Sequence, residues 1–63
     1  MIVTVIRPAS YEAEKMNIPD GWTVRQLLDR MKASGLKLRF GNGEYVFVSD
    51  RLVLAEGDAV KLY

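Results

Sequence analysis

One short helix signal, marked at both ends, constrains this chain more than any other feature. Val24, Leu27, Leu28 and Met31 follow the i, i+3, i+4, i+7 spacing that lines one face of a helix. Thr23 suits the N-cap, and Gln26 three residues on completes a Thr-x-x-Gln capping box. Trp22 and Leu27 stand at the positions of a hydrophobic staple. Gly35 suits the left-handed residue that closes a helix. The spacing predicts a helix from Thr23 to about Ser34, with its apolar face committed to a core.

The flanks read as β structure. Ile2 to Arg7 is rich in β-branched residues. Pro8-Ala9-Ser10 supplies a turn, and a more polar second strand runs from about Tyr11 to Ile18, stopped by Pro19. So short a connection makes the two strands an antiparallel hairpin. After the helix, Leu36, Leu38 and Phe40 alternate with Lys37 and Arg39, which predicts a strand with one buried face. Gly41-Asn42-Gly43 turns the chain, Tyr45 to Val48 continues as strand, and Leu52-Val53-Leu54 is expected to pack on the core. Glu56-Gly57-Asp58 turns again before a last strand from Ala59 to Tyr63.

With 63 residues, the chain suffices for one domain spanning 1–63. A chain so short buries only ~60% of the surface its unfolded form exposes. It has no cysteine and no histidine, so no disulfide or zinc site reinforces the core, and stability must come from packing. The same absences remove thiol nucleophiles and imidazole bases. Ser10, Ser34 and Ser49 have no histidine to activate them. The acids, among them Glu12, Asp29 and Asp58, are scattered, without the dense spacing of a calcium loop, and the glycines match no phosphate-binding loop. No enzyme activity, metal or cofactor is expected. The apolar start, Met1 to Ile6, is too short for a signal-peptide core or a membrane span. The lack of cysteine is compatible with the cytoplasm, which is the expected location, and Met1 favours a free-standing protein.

The element order, the Gly21-Trp22-Thr23-Val24 helix start, the Asn42-Gly43-Glu44-Tyr45-Val46 hairpin and the Leu54-Ala55-Glu56-Gly57-Asp58-Ala59-Val60 approach to the last strand together resemble the β-grasp (ubiquitin-like) superfamily. Two branches are closest: the sulfur carriers of thiamine and molybdopterin synthesis, and TGS domains. The resemblance spans nearly the whole chain and implies an α+β fold, ββαββ(β), with a mixed sheet packed on one helix. Sulfur carriers act through a C-terminal Gly-Gly tail, whereas this sequence ends in Lys61-Leu62-Tyr63. The resemblance thus implies a non-conjugating interaction module, with a carrier or modifier lacking its tail as the alternative. A further alternative is a TGS-like domain contacting RNA.

If Val3, Val5, Met16, Ile18, Leu38, Val60 and Leu62 face the helix, the period of two sends Ile2, Thr4, Ile6, Lys15, Arg39, Lys61 and Tyr63 to the open face. Two isoleucines and a tyrosine beside three cations make a candidate docking patch for a protein partner; scattered apolar residues on a small surface are the ordinary alternative. Trp22 reads as a staple before it reads as a binding hot spot. Arg30, Lys32, Lys37 and Arg39 follow one another without an intervening acid and are the candidates for nucleic acid. A net charge of +1 argues against that partner. No membrane association is expected, and the oligomeric expectation is a monomer or a weak oligomer formed by strand pairing.

Overall fold

A computed structural model describes residues 1–10 and 12–63; Tyr11, the expected first residue of the second strand, lies outside the described residues. The fold is α+β. Its elements run β1 (Ile2–Ile6), β2 (Ala13–Asn17), α1 (Val24–Met31), β3 (Leu36–Arg39), β4 (Tyr45–Phe47) and β5 (Ala59–Leu62). The five strands form one mixed sheet in the order β2-β1-β5-β3-β4. The first and last strands lie side by side and parallel at its centre, with Val5 opposite Val60. The other pairs are antiparallel.

The inner face of this sheet and the apolar stripe of α1 make the core. Val3, Val5, Leu36, Leu38, Val60 and Leu62 come from the strands, Val24, Leu27 and Leu28 from the helix, and Ile18 and Leu54 from connecting segments. Met16 and Met31 are half-buried at its margin. No polar or charged side chain is buried among the described residues, so the core is apolar throughout and its stability follows area removed from water.

The start of α1 is satisfied donor by donor. Four N–H groups at a helix start have no partner within the helix. Here Thr23 and Gln26 form the expected capping box, with the Gln26 N–H donating to Thr23 Oγ1 at 3.3 Å and the Thr23 N–H donating to Gln26 Oε1 at 2.9 Å. The Val24 and Arg25 N–H groups donate to the carbonyls of Leu52 and Asp50, both at 2.9 Å. The 50–54 segment is thereby fastened across the helix start, and Thr23 forms an isolated bridge with Val53. Arg25 adds an ion pair to Asp50 at 3.0 Å, whose hydrogen bond holds the guanidinium pKa above its usual value. Thr23→Ala is expected to cost about 1 kcal/mol, read as a lower urea midpoint with an unchanged slope.

Several expected boundaries shift. The helix ends at Met31, and the left-handed residue is Lys32 (φ 54°), whose N–H bonds the Leu28 carbonyl, rather than Gly35. Beyond Met31 the next positions on the apolar stripe are Ser34 and Gly35, so another helical turn would bury nothing. Those two residues join the sheet instead: the Tyr63 N–H donates to the Gly35 carbonyl at 2.8 Å, and Ser34 donates to the Tyr63 carbonyl through its N–H at 3.0 Å and its hydroxyl at 2.9 Å. Phe40, expected inward, is 47% exposed because β3 stops at Arg39 and the chain has already begun to turn. Of Leu52-Val53-Leu54 only Leu54 enters the core, and Val53 is 58% exposed. In the β3–β4 turn only Gly43 takes a positive φ (86°); Asn42 contributes through its side chain, which accepts the Glu44 N–H at 3.0 Å in the manner of an Asx turn.

Candidate interaction surface

The ladder registers define the face of the sheet turned away from the helix. Val3, Val5, Leu36, Leu38, Val60 and Leu62 are buried on the inner side. Their alternates therefore occupy the outer side: Ala13, Lys15 and Asn17 from β2, Ile2, Thr4 and Ile6 from β1, Ala59 and Lys61 from β5, Lys37 and Arg39 from β3, Tyr45 and Phe47 from β4. Tyr63, which continues the β5 ladder, joins them. All seven residues expected on this face lie on it. Lys37, Tyr45 and Phe47 lie there as well. Lys37, a nucleic-acid candidate by sequence, takes its outward direction from the alternation with Leu36 and Leu38. Tyr45 and Phe47 needed the pairing of β4 with β3, which a three-residue strand does not announce.

The geometry of the outer face is ordered by cations set against rings. The ammonium of Lys37 lies 4.7 Å from the centroid of Phe47 and 5.1 Å from that of Tyr63. The two rings are 5.6 Å apart and tilted by 49°. Lys61 places its ammonium 4.7 Å from the centroid of Tyr45. Such contacts contribute about 0.5–1 kcal/mol each at exposed sites. They offset a defect in the register: Lys37 and Lys61 are directly opposite one another across β3 and β5, and like charges so placed repel.

Four of the nine lysines and arginines, Lys15, Lys37, Arg39 and Lys61, occupy this face, and none of its strand positions holds an acid. The near-neutral total conceals that asymmetry. Apolar side chains complete the surface, with Phe47 63%, Tyr63 47% and Ile2 40% exposed.

The four residues considered for nucleic acid divide between two sides. Lys37 and Arg39 are on the outer face, whereas Arg30 projects from the solvent side of α1 and Lys32 from its C-terminal end. The sheet separates the pairs, so no single phosphate track joins them. Trp22 is half-buried against the core, in keeping with its place before the helix cap.

Surface hollows hold about 140, 270 and 260 Å3, below the roughly 300–1,000 Å3 of small-molecule pockets. No described helix is long and apolar enough to cross a membrane. Comparison with family models, curated proteins and solved structures finds no match to this chain.

Proposed function

We propose that this chain is a β-grasp, non-enzymatic interaction module that docks a protein partner through the outer face of its sheet. The side-by-side parallel first and last strands, with one helix across the inner face, support the β-grasp reading. The observation that carries the docking reading is the Lys37–Lys61 pair at the centre of a face without strand carboxylates. A domain of 63 residues has a net stability of about 3–9 kcal/mol. Sequences that keep such a local conflict and compensate it elsewhere, as the ring contacts do here, do so most often at functional sites. An apolar and aromatic centre among cations also has the composition of an interface core with a charged rim.

Affinity capture from the native host tests the reading. The Arg39→Glu/Lys61→Glu double variant is expected to lose the partner that the wild type recovers while keeping its thermal midpoint, since neither side chain is in the core. Equal recovery by both proteins refutes docking on this face.

A further inference from the structure

The sheet has two unpaired edges, and they differ in kind. Along β2 the exposed edge is Ala-Glu-Lys-Met-Asn, with charges at Glu14 and Lys15 of the sort that discourage strand pairing. Along β4 it is Tyr45-Val46-Phe47, with no charge, proline or bulge. The ladder alternation shows which backbone groups of β4 are free. Phe40 donates to the Glu44 carbonyl, so Phe40 and Glu44 are a hydrogen-bonded pair; in an antiparallel ladder the next such pair is Leu38 with Val46. The backbone groups of Tyr45 and Phe47 therefore point away from β3. They make no backbone hydrogen bond to another described residue outside the sheet.

Both central ammonium groups lie against rings of that same edge, that of Lys37 shared with the Tyr63 ring on the β5 side. Lys37 belongs to β3 and Lys61 to β5, one and two strands in from β4, yet their ammoniums lie over the rings of Phe47 and Tyr45. An added strand would lie ~4.8 Å beyond β4, beside the rings those cations already cover. Alternate side chains of that strand would stand on the cationic face, and the others would cover Val46, which is 44% exposed on the inner side.

We propose that β4 accepts an extended acidic peptide segment as a sixth strand, its backbone paired to Tyr45 and Phe47 and its carboxylates set against Lys37 and Lys61. This rests on the outer-face reading and specifies its partner as an acidic strand. Charge selects the occupant. A second copy paired through β4 would join two cationic faces across a three-residue edge, which is too small an interface for a stable dimer without further contacts. A single-stranded nucleic acid supplies anions, but it cannot continue the backbone ladder, and the ring faces it would stack on are already occupied by ammonium groups.

The test is an amide NMR titration of the whole chain with the capped hexapeptide Glu-Val-Glu-Val-Glu-Val. Parallel titrations use its Lys-Val counterpart, the acidic peptide N-methylated at every amide, and a 15-mer of deoxythymidine. Saturable shifts centred on 45–47 are expected with the acidic peptide alone. The Lys37→Glu/Lys61→Glu variant is expected to weaken binding by about tenfold or more, and the Tyr45 and Phe47 amides should become protected from hydrogen exchange. Equal binding of the N-methylated peptide overturns strand addition, and preferential binding of the deoxythymidine 15-mer overturns the choice of partner. Sedimentation of the free chain as a dimer that Phe47→Lys dissociates assigns the edge to a second copy and overturns the proposal. Failure of every probe also overturns it, while docking on the outer face stands or falls separately on the capture experiment with Arg39→Glu/Lys61→Glu.

Discussion

Leu27→Ala is expected to bring this domain close to unfolding at room temperature. Leu27 is completely buried, one of the largest side chains to be so, and it projects from the middle of the only described helix into the inner face of the sheet. Truncation of a buried leucine removes about 2–5 kcal/mol, through lost transfer energy and the cavity left behind. That range overlaps the whole stability of about 3–9 kcal/mol for a chain of 63 residues. No disulfide is present to hold the unfolded chain together. Urea unfolding followed by far-ultraviolet circular dichroism should show a midpoint near zero denaturant. A loss below 1 kcal/mol would mean that α1 is not seated on the sheet.

The second large effect separates two adjacent residues. Val60→Glu is expected to abolish folding, whereas Lys61→Glu should leave the stability within about 0.5 kcal/mol of the wild type. Val60 is fully buried at the centre of the sheet, opposite Val5 on one side and Leu38 on the other. A carboxylate there would lack any partner in an apolar core, at a cost exceeding the net stability. Lys61 is on the opposite face, and its replacement also relieves the repulsion with Lys37. Thermal unfolding of the two variants checks the register directly. Similar behaviour by both would put the sheet one residue out of register, which exchanges its faces.

The helix was legible because its signals are local. Thr23 and Gln26 meet within one turn, and the apolar stripe is complete within eight residues. Its end was less legible. Gly35 has the intrinsic freedom for a left-handed position, yet Lys32 takes that conformation because Ser34 and Gly35 are held by the Tyr63 backbone, 28 or more positions away in sequence. The same limit applies to the 50–54 segment. Its carbonyls complete the helix start, and nothing in Asp50 or Leu52 as residues marks them as acceptors for Val24 and Arg25.

The outer face divides along the same line. Alternation within each strand determined on its own which side chains share a face, and Ile2, Thr4, Ile6, Lys15, Arg39, Lys61 and Tyr63 follow from that period of two. Which strands are neighbours was decided only in three dimensions. The order β2-β1-β5-β3-β4 brings Lys61 opposite Lys37, stacks both lysines on the rings of β4 and Tyr63, and leaves β4 at the edge. Periodicity is a property of a few consecutive bonds and can be read from them. Adjacency between strands tens of residues apart depends on closing the whole core at once, and no local pattern records it.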